Sequence, residues 1–185
     1  MIHAPSLVIG AAIASVAIIV AFLAIDILND EPELAVTPTP TIQESGPAKI
    51  TAATFMENGS PILGDPNAPI TLIEFGDYQC YFCNQFFHTT EDNLFKNYVE
   101  TGKVKVIFKD YTIIGADSVT AAHAAHCADD QGLLWKYHDT LYGHWTGENN
   151  GWASSENLLQ FAGDLGLNID EFSKCMIASK HSPII

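Results

Sequence analysis

The chain has 185 residues, room for one domain with appendages. Acidic residues outnumber basic ones 22 to 8, and every basic residue is lysine. A net charge of −14 excludes a nucleic-acid role, because phosphate binding needs a basic footprint. The acidity fits a solvated surface and identifies no partner.

Residues 7–25, LVIGAAIASVAIIVAFLAI, form an unbroken apolar run. At about 1.5 Å per residue it is long enough to span a bilayer. It exceeds the roughly 7–15 residue core of a cleaved signal. Phe22 precedes Ala24 where a small-x-small cleavage site wants a small residue. The expectation is an uncleaved transmembrane anchor over residues 1–28, rather than a cleaved signal or a buried helix. No Lys or Arg precedes Lys49, so the positive-inside rule has nothing to count. Asp26, Asp30, Glu31 and Glu33 follow the span, and export of the C-terminal part is expected. Residues 29–50 read as an extended Pro/Thr/Glu-rich linker with Thr37-Pro-Thr-Pro-Thr at its centre.

The folded domain is expected over residues 51–185. Asn58-Gly-Ser60 is a formal glycosylation sequon, read first as a turn because Pro61 follows it. Residues 59–64 read as an edge segment and 65–69 as a turn. Residues 70–75 read as a strand of buried character. Helical spacing then runs through Phe82, Phe86, Phe87, Phe95 and Val99 to a stop at Gly102. Residues 104–108 are the next strand, so this β-α-β unit predicts a parallel pair with a right-handed crossover. Four helical stretches follow, 118–130, 133–142, 154–165 and 168–179, the last capped by Asn168. They make a helical block at about 115–180.

The chemistry concentrates in Glu74-Phe-Gly-Asp-Tyr-Gln-Cys80-Tyr-Phe-Cys83. A Cys-x-x-Cys is half a zinc site, a redox dithiol, or chance. No second ligand pair stands at zinc spacing. A strand before and a helix after favour the redox reading. Cys80 would lie at a helix N-terminus, where free amides favour a thiolate, with Cys83 one turn on to resolve a mixed disulfide. Glu74 interrupts an apolar strand six residues before Cys80. Buried there, it would serve as the proton relay for Cys83; the alternative is a strand-end carboxylate facing water.

The stretch from Gly64 to Cys83, with Ala121-Ala-His-Ala-Ala-His-Cys-Ala128 and residues 131–142, resembles the DsbA-like branch of the thioredoxin superfamily. The resemblance covers roughly residues 60–180. It implies an α/β thioredoxin fold with an α-helical insertion, and thiol:disulfide oxidoreductase activity outside the cytoplasm. By resemblance Cys80 and Cys83 match the redox-active pair and Glu74 the acid beneath it. Exported thiol-bearing proteins would be substrates, and a redox partner would recycle the site. Disulfide formation is the leading reading; a reductase, an isomerase or a non-catalytic thioredoxin-like module are the alternatives.

Two features depart from the family pattern. Tyr81-Phe82 stands between the cysteines, where members often carry proline and sometimes histidine. The lost cation implies a less oxidising site, and the aromatic pair is a candidate substrate contact. The family fold also continues past the insert with a cis-proline loop, two strands and a helix, whereas this sequence stops at Ile185. A sheet lacking its second half is therefore expected.

The resemblance and the exported setting together imply a structural disulfide between Cys127 and Cys175; two buried free thiols are the alternative. His123 and Cys127 share a helix face, but two ligands on an Ala-rich helix read as core and surface. No metal and no cofactor are expected. Trp135, Tyr137, Trp145 and Trp152 read as core or groove walls.

Overall fold

A computed structural model describes residues 51–185. The anchor expected over 1–28 and the linker over 29–50 lie outside the described residues. Among the described residues no helix is long and apolar enough to cross a membrane.

The order begins with a short helix α1 (Ala52–Met56) and strand β1 (Ile70–Gly76). A continuous helix α2 over 81–99 follows, and then strand β2 (Val104–Asp110). Four helices come next: α3 (Ala116–Asp129), α4 (Leu134–Gly143), α5 (Ser155–Asp164) and α6 (Ile169–Ala178). A 3₁₀ turn, Ser182–Ile184, comes last.

β1 and β2 pair in parallel, in a register running from Ile70 opposite Val104 to Gly76 opposite Asp110. Leu63 adds one antiparallel bridge to Val106 on the far side of β2. The edge segment predicted at 59–64 is thus a single bridge, with Pro61 denying it a longer ladder. The turn at 65–69 closes on Asp65, whose carboxylate accepts from the Asn67 amide at 2.8 Å.

The buried character expected of β1 belongs to β2 instead. Val104, Val106, Ile107 and Phe108 are enclosed, while Ile70 and Phe75 are half exposed. β2 is flanked by β1 and by the Leu63 bridge, whereas one edge of β1 pairs with no strand among the described residues.

α2 is not a uniform helix. α-helical Tyr81–Phe86 and Asp92–Leu94 alternate with π-helical Phe87–Glu91 and Phe95–Val99. Each wide turn shifts which residues face inward, so a 3.6-residue pattern misassigns faces here. Phe82, placed on the apolar stripe by spacing, is 73% exposed, and Glu91 is buried. Gly102, at φ 71°, ends the helix where a side chain would be strained.

α3 is the central helix of the block. Ala121, Ala122, Ala124, Ala125 and Ala128 are all buried, and small side chains let neighbouring helices approach closely. Ser154 caps α5 by accepting from Asn157, and Asn168 caps α6 by accepting from Asp170 and Glu171. A Cys127–Cys175 disulfide joins α3 to α6, with Cα atoms 5.8 Å apart. Tyr137, Trp152, Leu158 and Phe172 fill the core between the helices. Trp135 and Trp145 are half-buried walls.

Candidate active site

The site forms where β1 hands over to α2. Gly76 must be glycine, because a Cβ there would lie 2.3 Å from the Phe108 ring. The close approach lets Tyr78 turn into the core, against Phe108, Tyr142 and His138.

Asp77 organises the turn. One carboxylate oxygen accepts from the Gln79 amide at 2.8 Å, and the other accepts from Ile113 and Ile114 at 2.9 and 3.0 Å. Its carbonyl accepts from the Cys80 amide at 3.0 Å. These bonds tie the turn to the segment after β2 and set Cys80 as the N-cap of α2. Asn84, on the first turns of the helix, donates to the Tyr142 carbonyl at 2.9 Å and docks α2 on α4.

Cys80 and Cys83 are free thiols, both partly exposed. Burial pushes the Cys83 thiol up to about 11; the Asp77 amide opposes this, while Cys80 and the charge of Glu74 add to it. At neutral pH Cys83 therefore holds its proton and needs a base to release it.

Glu74, half-buried on β1, lies within electrostatic reach of Cys83. Its carboxyl is raised to about 7, first by burial, then by the charge of Glu91, with His138 opposing. A carboxyl there is half ionised at neutral pH, the condition in which it can both give and take a proton.

Behind Glu74 lies a buried polar pair that sequence spacing missed. Glu91 and His138 approach to 3.5 Å, and the other imidazole nitrogen meets the Tyr78 phenol at 3.1 Å. Asp77, Gln79 and Glu148 were also missed. The polar run Gly-Asp-Tyr-Gln between strand and helix was the available signal for the first two; Glu148 gives none, since it reaches the site only through the fold.

Tyr81 and Phe82 project from the helix start, their rings 5.3 Å apart. Trp145 stands 5.9 Å from Tyr81 and donates its indole N–H to the Gln79 carbonyl at 2.8 Å. Asn149 donates its amide to the buried Gln79 side chain at 2.9 Å, so the loop after α4 is laid against the start of α2.

The residues weighed as metal ligands have other partners. Cys127 is bonded to Cys175. His126 bonds Asp110 at 2.7 Å, and His123 accepts from the His181 amide at 3.3 Å. Burial, with His181 and His126 adding to it, lowers His123 below the usual histidine range.

A family model described as thioredoxin matches residues 56–185. A probable disulfide bond formation protein D of Bacillus anthracis is 29% identical over 116 residues, covering 60% of this chain and 54% of that one. Among solved structures, Wolbachia pipientis alpha-DsbA1 is 28% identical with a TM-score of 0.60, covering 69% of this chain and 63% of that one. Oxidised BdbD of Bacillus subtilis is 26% identical with a TM-score of 0.57, covering 68% of this chain and 73% of that one. The chain belongs to the thioredoxin family, in its DsbA-like branch. It spans about half the length of the Bacillus anthracis relative.

Proposed function

We propose that the chain is a thiol:disulfide oxidoreductase that forms or exchanges disulfides in exported proteins, held at the membrane by residues 7–25 with its catalytic domain outside the cytoplasm. The observation that carries the reading is the pairing of a helix-capping Cys80 with a Cys83 held protonated one turn on, beside a carboxyl raised to about 7. The relatives named as disulfide bond formation proteins support the same chemistry.

In the oxidised form a substrate thiolate attacks the Cys80 sulfur and breaks the Cys80–Cys83 bond. Cys83 leaves as a thiolate and takes a proton from protonated Glu74. A second substrate thiolate attacks the substrate sulfur of the mixed disulfide, and Cys80 leaves as a thiolate at the helix N-terminus. Substrate gains a disulfide; the enzyme dithiol holds its two electrons until a redox partner removes them. Tyr81 and Phe82 give an apolar platform for the substrate chain. Run backwards, the same steps reduce a disulfide. The lack of a histidine between the cysteines favours a less oxidising potential and keeps reductase or isomerase activity as the second reading.

Peptide oxidation and insulin reduction, each with a Cys80→Ala control, test the proposal. Cys83→Ala is expected to accumulate mixed disulfides through Cys80. Wild-type turnover no faster than Cys80→Ala in both assays would leave a non-catalytic binding module.

A further inference from the structure

The first amide of the α2 helix does not point into open solvent. Tyr81 N–H donates to the Glu148 carboxylate at 3.0 Å, across 67 residues of sequence. Glu148 is held there from both sides. Trp145 donates to the Gln79 carbonyl at 2.8 Å. Asn149 donates its amide to Gln79 Oε1 at 2.9 Å and its side-chain amide to the Ile114 carbonyl at 3.3 Å. Gln79 is fully buried, so the anchor is rigid.

A helix N-terminus favours a thiolate at its cap because its free amides carry partial positive charge. Here a full negative charge occupies the first of those amides, next to the capping cysteine. We propose that Glu148 is a positioning residue that holds the Cys80 thiol less acidic, and the dithiol less oxidising, than the bare helix N-terminus would make it. The proposal rests on the reading of Cys80 as the attacking thiol.

The direction follows from charge. The Glu148 carboxylate offsets the helix dipole and repels a thiolate at Cys80, so it disfavours the reduced, ionised form. Other groups facing the cysteines leave this uncompensated. Glu74, from β1, is also an acid and adds to the negative charge acting on the dithiol. The Asp77 carboxylate in the β1–α2 turn is committed to three amides. The Tyr81 and Trp145 rings carry no charge.

The test is a charge series in the full chain: wild type, Glu148→Gln and Glu148→Lys. Glutamine keeps an acceptor for the Tyr81 amide and removes only the charge. The readouts are the pH profile of Cys80 alkylation and the equilibrium with glutathione. The expected result is a Cys80 midpoint lower by about half a pH unit in Glu148→Gln and by about one unit in Glu148→Lys. The glutathione equilibrium of Glu148→Gln should move about threefold toward the dithiol, about 14 mV at 29.6 mV per decade. Both differences should shrink in high salt. A helix cap without an electrical role would change thermal stability and leave both profiles where they were. Cys80 labelling with one midpoint in all three proteins would overturn the role of Glu148. Labelling of Cys83 before Cys80 in the wild type would instead overturn the nucleophile assignment, and this proposal with it.

Discussion

The phenol of Tyr78 and the imidazole of His138 meet at 3.1 Å with both side chains enclosed. His138 turns its other nitrogen to Glu91 at 3.5 Å, too loose and misaligned for a hydrogen bond. No hydrogen-bond partner reaches either Glu91 oxygen among the described residues, so His138 is its one close counter-group there. His138→Leu therefore strands a buried carboxylate and is expected to cost about 3–5 kcal/mol in urea unfolding. The two partners also act oppositely on Glu74: Glu91 raises its carboxyl and His138 lowers it. Glu91→Gln should move the Glu74 titration down in pH, and His138→Leu should move it up, as read by carboxyl NMR shifts. Shifts of the same sign in both variants would contradict the pairing.

Glu74 makes stability depend on pH with a definite sign. Its folded value of about 7 lies above its ordinary 4.5, so the folded state holds the proton longer. The favourable contribution is complete below pH 4.5 and is lost as pH rises through about 7. At most about 3 kcal/mol is involved, at 1.36 kcal/mol per unit. Glu74→Gln should be more stable than wild type above pH 7, with the difference closing below pH 4.5. The same variant should slow release of Cys83 in exchange assays at all pH values where Glu74 would carry the proton.

Asp77 accepts three amide hydrogen bonds with its buried carboxylate. Hydrogen bonds to charged groups contribute about 1.5–3 kcal/mol each. Asp77→Asn keeps the shape and turns one acceptor into a donor facing amides, so a loss of about 2–4 kcal/mol is expected in thermal or urea unfolding. Because the turn sets Cys80 at the helix cap, the rate of Cys80 alkylation should also change in this variant.

The Cys127–Cys175 disulfide closes a separation of 48 residues between α3 and α6. By chain entropy a loop of that length is worth about 4 kcal/mol. The double Cys→Ala variant should unfold earlier by that order, while keeping dithiol reactivity at Cys80 and Cys83. Mass spectrometry of the unreduced, alkylated protein should find no label at Cys127 or Cys175.

Elements governed by local periodicity were legible from sequence. Strands 70–75 and 104–108, the cap residues Ser154 and Asn168, and the helix stop at Gly102 all follow from short-range backbone chemistry. The dithiol was legible for the same reason, since Cys80 and Cys83 are one helical turn apart. Glu91 was missed because two π-helical stretches break the spacing on which face assignment depends, and the apolar spacing through Phe82 did not show that its ring stands open at the helix start. The burial of β1 was overestimated because an apolar strand pattern does not say what covers each face.

The sequence by itself determined the strand, turn, dithiol and helix of the site, because these lie within about ten consecutive residues and answer to local geometry. Only the tertiary structure decided what surrounds the dithiol. Glu74 takes its raised carboxyl from burial and from Glu91, with His138 opposing, and these two partners stand on different elements. Glu148 reaches the Tyr81 amide across a long separation. Charge acts through space with little regard for chain order, so the acid–base character of the site belongs to the fold and cannot be read along the chain.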